Sequence, residues 1–297
     1  MKNIYSNICS PSSRNIKKAK KIIESNDLVG IPTETVYGLA GNAYSNKAVA
    51  KIFSLKKRPA INPIIVHFYS LNDIKSDVII NKDFLKLYKM FCPGPITFIL
   101  RKKTKSKIST KATANKKTLA IRIPSHVTTR KLLKMLKKPL AAPSANISSK
   151  LSPTSAEDVV EEFKNKIKLV LDGGECKIGL ESTILDLTHK PTILRPGSIT
   201  LKQIKKVLKK KIIFNKRVSK IKAPGQLKLH YSPGIPVKLN RKFAKKNQAF
   251  IVFGKKFNKE INVFNLSKNG NLKEAANNLY KVMRKIKNKK FKSIAVS

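Results

Sequence analysis

The spacing of apolar and polar residues predicts alternating helices and strands along the first 211 residues. In residues 46–57, for example, Val49, Ile52 and Phe53 recur at helical spacing, which indicates one apolar helix face. Short apolar runs bounded by Gly, Pro, Ser or Asn are typical of buried strands. We therefore expect helices near residues 14–25, 46–57, 83–91, 126–136, 155–165 and 201–211, and strands near 28–31, 64–68, 96–100, 119–123, 140–142 and 169–171.

Two later segments, 182–187 and 192–195, alternate apolar and polar residues on either side of a proline-containing turn, which predicts a β-hairpin. Interleaved helices and strands indicate the α/β class, whereas a hairpin requires antiparallel pairing. We therefore predict an α/β fold with some α+β character, built on a mixed sheet and not on a doubly wound parallel one.

The pattern weakens after residue 211 and then resumes. Residues 212–233 are polar and contain Pro224-Gly225, so we expect a linker there. Residues 234–297 then predict a second, smaller α/β unit, close to the lower size limit for an independent core. Its strands are expected at 237–239, 249–253, 262–266 and 293–296, and its helix at 272–287.

The chain is strongly basic, with 64 Lys and Arg residues against 16 Asp and Glu residues and a net charge of +48. Only nine of the basic residues are arginine, and a lysine excess beside many Ile and Asn residues is typical of an A/T-rich genome. Mutational bias and a binding function are both explanations of this charge. In either case we expect weak, non-specific binding of tRNA or double-stranded RNA that weakens as salt rises.

The cysteines and the apolar content indicate the compartment. Cys9, Cys92 and Cys176 are widely spaced and form no C-x-x-C pair, so neither a disulfide framework nor a thiolate zinc site is expected. No apolar run reaches membrane-spanning length, and the first 21 residues lack the apolar core of a signal peptide. We expect a cytoplasmic protein.

A nucleotide would have to be held here without a glycine-rich phosphate loop. The twelve glycines form neither G-x-x-x-x-G-K-[ST] nor G-x-G-x-x-G. Lys56, Lys57 and Arg58, followed by a turn that contains Asn62, offer cations for phosphate oxygens. The same cations would equally suit the exposed C-terminal end of a helix, where the helix dipole favours positive charge.

Polar residues also follow the strand expected at 140–142. Ser144, Asn146 and Ser152 lie beyond its carboxyl end, where α/β proteins commonly bind ligands. Thr154 and Glu157 have the spacing of a capping box that would begin the next helix. This structural explanation covers Thr154 but not Ser144 and Asn146.

Several other residues have both a functional and a plain structural interpretation. Arg122 and Arg195 lie in apolar strands, where a charge is costly to bury unless it is paired, so each either clamps an anion or faces solvent. Taken alone, His67 has the sequence context of a core histidine, and Tyr231 has that of a packing residue. Residues 181–183 are typical of a turn. Cations and hydroxyls without a nucleophile favour chemistry on a phosphate group.

Nine blocks in a fixed order are similar to the family of threonylcarbamoyl-AMP synthases in its two-domain form, with a YrdC-like catalytic domain and a Sua5-type C-terminal domain. The similarity is close over about residues 14–233. The blocks are PTETVYGLAG (32–41), KKRPAINPIIVH (56–67), CPGPITFIL (92–100), LAIRIP (119–124), APSANISSKLSPT (142–154), LDGG (171–174), ESTILDL (181–187), ILRPG (193–197) and PGQLKLHYSP (224–233).

The resemblance implies a twisted mixed sheet with helices around a large basic cavity and a small Rossmann-like C-terminal domain. It implies domains at 1–211 and 234–297, joined by a linker at 212–233 that works as a lid. It also implies synthesis of threonylcarbamoyl-AMP and pyrophosphate from L-threonine, bicarbonate or CO₂, and ATP. Mg²⁺ is expected as a cofactor that arrives with ATP, and no protein-bound metal site is predicted. A separate transferase would then use the product for t6A modification at position 37 of tRNA.

The resemblance also assigns residues to roles. For L-threonine it implies Thr35, His67, Arg122, the main chain of Ala142, and Ser182. For ATP it implies Arg58, Asn62, Thr118, Ser144, Ser152, Arg195 and Tyr231. Lys56, Arg58, Ser144 and Asn146 match the K-x-R and S-x-N residues and are the catalytic candidates.

Two departures and two alternatives accompany this interpretation. The family pattern continues beyond residue 297, so the second domain is expected to be shortened, and the lysine content is unusually high.

An RNA-binding module is the alternative that the charge suggests, although aromatic residues are only 7% and Trp is lacking. A related synthase that acts on another acceptor than threonine would share the same pocket.

Overall fold

The computed structural model describes residues 3–214, 224, 231–256, 261–289 and 291–297, which form two sheets surrounded by helices. The helices are α1 (Ser13–Glu24), α2 (Asn46–Lys56), α3 (Leu71–Ile74), α4 (Lys82–Phe91), α5 (Val127–Leu136), α6 (Ala156–Phe163), α7 (Leu201–Leu208) and α8 (Leu272–Asn288). The strands are β1 (Ile8–Cys9), β2 (Val29–Ile31), β3 (Gly38–Asn42), β4 (Val66–His67), β5 (Ile96–Arg101), β6 (Thr118–Arg122), β7 (Leu140–Ala141), β8 (Val170–Leu171), β9 (Thr183–Asp186), β10 (Thr192–Arg195), β11 (Ile213–Phe214), β12 (Val237–Lys238), β13 (Gln248–Val252), β14 (Val263–Asn265) and β15 (Ser293–Val296).

The larger sheet is mixed, as predicted. Its order is β1-β8-β2-β3-β7-β4-β6-β5-β9-β10-β11, with parallel pairs such as β4 with β6 and antiparallel pairs such as β5 with β6. The predicted hairpin is confirmed, because β9 and β10 pair in the antiparallel direction. Its register shifts between Ile193 and Arg195.

Strand β3 was not predicted from the sequence. Its sequence, GLAGN, contains two glycines, which are normally disfavoured in strands. Gly41 is needed there because an added Cβ would lie 2.8 Å from the side chain of Leu28. Close packing of neighbouring elements therefore overrides the local preference.

The predicted capping box is wrong by one residue. Ser155, not Thr154, is the N-cap of α6, and its side chain accepts a hydrogen bond from the main-chain nitrogen of Asp158. Asp158 in turn accepts from the main-chain nitrogens of Ser155 and Thr154. The carboxylate of the capping box, expected at Glu157, is thus supplied by Asp158, three residues after the N-cap.

The second unit is a four-stranded parallel sheet in the order β12-β15-β13-β14. All four expected strands and the expected helix are found, and none of their ends differs from the expected one by more than one residue. Phe250 and Ile294 are fully buried in this unit, as is Ile286 of α8. Most of the linker expected at 212–233, with its lid role, lies outside the described residues, although β11 within it pairs with β10.

None of the helices in the described part of the chain has the length and apolar character needed to cross a membrane.

Candidate functional site

The pairing of the central strands brings distant residues together at one place in the larger sheet. His67 lies opposite Arg122 in the register of β4 and β6, and Thr97 of β5 lies opposite Arg122 on the other side. Gly38 forms an isolated bridge with Ser144, just beyond β7. A cavity forms here, and eight of the predicted site residues line it: Thr35, Arg58, His67, Arg122, Ala142, Ser144, Ser182 and Arg195.

Arg122 is buried and forms an ion pair with Glu34. Its Nη2 atom donates to Glu34 Oε1 at 2.7 Å, and Glu34 Oε2 accepts from the main-chain nitrogen of Ser125 at 3.1 Å. Burial opposes ionisation of Glu34, but the charge and hydrogen bond of Arg122 outweigh it and lower the pKa of this carboxyl. The alternative in which Arg122 faces solvent is therefore wrong. Arg122 Nε has no hydrogen-bond partner within the described residues.

His67 is buried beside Arg122, and neither ring nitrogen makes a well-formed hydrogen bond to another described residue. Burial, reinforced by the charge of Arg122, lowers the pKa of His67 well below its usual range. The ring is therefore neutral at pH 7 and offers one donor and one acceptor. A core histidine with satisfied nitrogens, the plain structural interpretation, does not fit this geometry.

We expect the free energy of unfolding to fall as the pH drops below about 6.5, the usual histidine value. The unfolded chain binds a proton at His67 there and the folded chain does not, so acid favours unfolding. Urea titrations between pH 5 and 8 should show this slope, and it should be smaller in His67→Gln. The control is His189→Gln, at an exposed site. This variant should keep the dependence of the free energy of unfolding on pH. Equal slopes in all three proteins would contradict the buried neutral state of His67.

Arg58 and Arg195 place two buried cations on another part of the wall. Arg58 donates from Nε to the main-chain oxygen of Asn62 at 3.0 Å and from Nη2 to that of Pro63 at 2.7 Å. Arg195 donates from Nε to the main-chain oxygen of Ser182 at 3.0 Å and from Nη2 to Ser182 Oγ at 3.1 Å. Burial and the charge of Arg195 lower the pKa of Arg58 to about 9. An anion between the two guanidinium groups would relieve this repulsion.

Lys56 is fully buried below the cavity, not exposed at the end of α2. Its Nζ donates to the main-chain oxygens of Ser144 and Asn146, and burial together with the charge of Arg58 lowers its pKa well below the usual value. Ser144 Oγ donates to Asn146 Oδ1 at 2.6 Å. Lys56 and Asn146 thus shape the turn that presents Ser144 to the cavity. Lys57, whose left-handed conformation ends α2, is the exposed member of the run.

The remaining predicted residues are not among those that line the cavity. Asn62 is buried, and its side-chain amide lacks a partner among the described residues. Thr118 lies at the other end of β6, four residues or about 13 Å from Arg122. Ser152 donates to Glu181, and Tyr231 packs on the ring of Tyr280 with ring centres 5.6 Å apart.

Sequence reasoning missed two buried carboxylates, Glu34 and Glu181. Glu34 holds Arg122, and Glu181 lines the cavity although residues 181–183 had the signature of a simple turn. A carboxylate within an apolar block was the available signal for Glu34, because such a group needs a partner. Glu181 had no local signal, since its partner Tyr280 is 99 residues away.

The cavity is basic, but it is smaller than the resemblance implied. Its volume is about 40 Å³, against roughly 300–1,000 Å³ for common ligand pockets. Arg58, Arg122 and Arg195 line this cavity and each donates a hydrogen bond to another protein group.

Across the described residues, no cluster of three or more His, Cys, Asp or Glu side chains could hold a metal ion. Glu181, which lines the cavity, is engaged with Ser152 and Tyr280, and Glu34 is engaged with Arg122. The described residues therefore offer no ligand set for a protein-held Mg²⁺ ion. Burial raises the pKa of the thiols of Cys92 and Cys176 to about 12, so neither is a ready nucleophile.

Comparison with known families gives two matches that together span most of the chain. A family model described as "Telomere recombination" matches residues 21–197. A second, described as "Threonylcarbamoyl-AMP synthase, C-terminal domain", matches residues 199–297.

Individual relatives agree with these matches. The threonylcarbamoyl-AMP synthase of Pyrococcus abyssi is 42% identical over 232 residues, which are 75% of this chain and 66% of that protein. The Schizosaccharomyces pombe protein of the same name is 37% identical over 257 residues, 75% of this chain and 63% of its own length. These alignments thus span about two thirds of the curated relatives. The crystal structure of P. abyssi Sua5 complexed with L-threonine has a TM-score of 0.88 and 37% identity, and the match covers 96% of this chain and 89% of that one.

Proposed function

This chain belongs to the threonylcarbamoyl-AMP synthase family, and from that premise we propose that it forms threonylcarbamoyl-AMP and pyrophosphate from L-threonine, bicarbonate or CO₂, and ATP. The observation that carries the proposal is the convergence of three buried arginines, Arg58, Arg122 and Arg195, on one cavity. A guanidinium group is costly to bury unless its charge is paired. Buried arginines are therefore expected where an anionic substrate accepts hydrogen bonds from the donors that the protein leaves unused.

Arg122 and His67 form the proposed threonine side. Glu34 occupies one Nη atom of Arg122 and fixes the guanidinium plane, while the unpartnered Nε can donate to the threonine carboxylate. The neutral ring of His67 can accept a hydrogen bond from the amine or donate one to the carbamate. Thr35, the main chain of Ala142 and Ser182 complete this side. The similar P. abyssi structure, which is complexed with L-threonine, supports the assignment.

Arg58, Arg195 and Ser144 form the proposed ATP side. The threonine amine would add to CO₂ and lose a proton to solvent, which gives a carbamate. A carbamate oxygen would then bond to the α-phosphorus as the bond between that phosphorus and pyrophosphate breaks. The two arginines stabilise the negative charge that develops on the phosphate oxygens, and Ser144 offers a neutral hydroxyl. Mg²⁺ would arrive as part of the ATP substrate. Asn62, Thr118, Ser152 and Tyr231 remain proposed for ATP, and Lys56 and Asn146 are proposed to support the site from below.

The purified protein, given ATP, Mg²⁺ and bicarbonate, is expected to release pyrophosphate only when L-threonine is added. Mass spectrometry should detect threonylcarbamoyl-AMP in the same reaction. L-serine in place of L-threonine tests the alternative acceptor, and omission of bicarbonate controls for direct activation of the carboxylate. Pyrophosphate release at the same rate without threonine would contradict the proposed function.

We further propose that a separate transferase passes the product to tRNA for t6A modification at position 37. Residues 1–211 would hold the catalytic site, residues 212–233 the linker and residues 234–297 the smaller domain. Any contact of the chain itself with tRNA would come from its +48 charge and would be weak and non-specific.

A further inference from the structure

We propose that Tyr280 on helix α8 is a positioning residue for the ATP side of the cavity and acts through Glu181. This inference rests on the proposed function and adds to it a contribution of the second unit, because Tyr280 comes from the smaller unit and Glu181 from the larger sheet. Tyr280 Oη donates to Glu181 Oε2 at 2.8 Å, and Ser152 Oγ donates to Glu181 Oε1.

The place of Glu181 gives this contact its importance. Glu181 lines the cavity and directly precedes Ser182, which accepts two hydrogen bonds from Arg195. A carboxylate free to turn would form an ion pair with a nearby arginine and cancel a charge needed by the triphosphate. The neutral hydroxyls of Tyr280 and Ser152 instead donate to Glu181 and hold it in place, so that Glu181 need not pair with Arg195.

Tyr280 itself is held firmly. Only 3% of it is exposed, and it packs with Val36 and Leu151 of the larger unit and against the ring of Tyr231. Burial and the charge of Glu181 raise the pKa of Tyr280 far above its usual value, so its hydroxyl stays a donor. A buried hydroxyl must be hydrogen-bonded, which makes the bond to Glu181 costly to lose.

Helix α8 is seated on the larger unit by further contacts. Asn277 Nδ2 donates to the main-chain oxygen of Cys176 at 2.7 Å, and Arg284 Nη2 donates to that of Leu151 at 2.8 Å. Gly179 allows this close approach, because a Cβ there would lie 2.6 Å from the main-chain oxygen of Asn277. The position of Tyr280 is thus set by the contact between the two units.

The first test is Tyr280→Phe in the full chain, which removes the hydroxyl and keeps the ring against Tyr231. Equilibrium binding of ATP should weaken about tenfold, and the KM for ATP should rise by a similar factor. The KM for threonine should stay within about twofold. The matched control is Lys285→Ala, at an exposed position of the same helix, which should leave ATP binding unchanged.

The second test asks whether Tyr280 acts through Glu181. The double variant Tyr280→Phe with Glu181→Gln should bind ATP no more weakly than Glu181→Gln alone, because the two residues form one unit. A merely structural role of Tyr280 predicts additive effects and a lower Tm without a selective change in the KM for ATP. Either additive effects or ATP binding within twofold of the unmodified chain in Tyr280→Phe would overturn the proposal.

A third pair of variants tests whether the contact between α8 and the larger unit affects ATP binding, apart from the backbone strain that alanine causes at a positive φ angle. Gly179→Ala should weaken ATP binding as Tyr280→Phe does, whereas Gly174→Ala should not. Both glycines have positive φ angles, 73° and 74°, but nothing lies within 4 Å of a Cβ added at Gly174. Equal effects of the two alanines would count against the role of the contact.

Failure of the proposed function is distinguishable from failure of this inference. ATP binding is measured without turnover, so a chain that binds ATP but shows no threonine-dependent pyrophosphate release would contradict the function alone. The affinity ratio between the unmodified chain and Tyr280→Phe would still decide the inference. Lack of any ATP binding by the unmodified chain would overturn both.

Discussion

Replacement of Arg122 by alanine is expected to lower the free energy of unfolding by about 3–5 kcal/mol and to abolish threonine-dependent turnover. Arg122 and Glu34 are 4% and 7% exposed, so the substitution leaves a buried carboxylate without its cation. It also removes the Nε donor proposed for the threonine carboxylate. Urea denaturation and the pyrophosphate assay measure the two effects.

A double variant separates stability from activity. Arg122→Met combined with Glu34→Gln removes both charges and should recover much of the lost stability, but no activity. The control is Lys51→Ala, which breaks a partly exposed pair with Asp27 and should cost at most about 1 kcal/mol. Full threonine-dependent turnover in the double variant would remove Arg122 from the proposed site.

Replacement of Arg58 by alanine is expected to reduce kcat/KM for ATP by about 10²–10³-fold, since one electrostatic donor is worth about 2–4 kcal/mol in a transition state. Arg58 is buried beside Arg195, and burial with that neighbouring charge lowers its pKa to about 9. Steady-state pyrophosphate release over a range of ATP concentrations measures the loss. Circular dichroism checks folding, because the main-chain oxygens of Asn62 and Pro63 also lose their donor.

Two further variants sharpen this result. Arg58→Lys keeps a positive charge but not the planar fork, and we expect it to recover only a small part of the activity. Arg101→Ala, at the exposed end of β5, should leave kcat/KM unchanged. Turnover of a folded Arg58→Ala protein at the unmodified rate would contradict a role at the phosphate.

Local patterns predicted most of the fold, because each helix or strand depends mainly on the residues next to it. The period-two alternation on both sides of residues 188–191 predicted the hairpin of β9 and β10, and the structure confirms it. Strand β3 was not predicted, because glycine is disfavoured in strands. Close packing against Leu28, which the sequence pattern does not show, requires the glycine at position 41.

The candidate site could be predicted only in part. The residues that the resemblance assigned include eight that share one cavity, but Thr118 and Asn62 are not among its lining residues. Lys56 shows the difficulty well. Its sequence context suits a phosphate ligand or an exposed helix end, whereas its Nζ bonds to two buried main-chain oxygens.

Local patterns in the sequence predicted most of the helices and strands and a second small unit, and the ordered motifs predicted the family. Tertiary structure alone decided which buried charges are paired. Glu34 reaches Arg122 across 88 residues and Glu181 reaches Tyr280 across 99. The physical reason is that periodicity and turn preference act between neighbours in the chain, whereas desolvation of a charge is offset by whichever partner the packed fold brings to it.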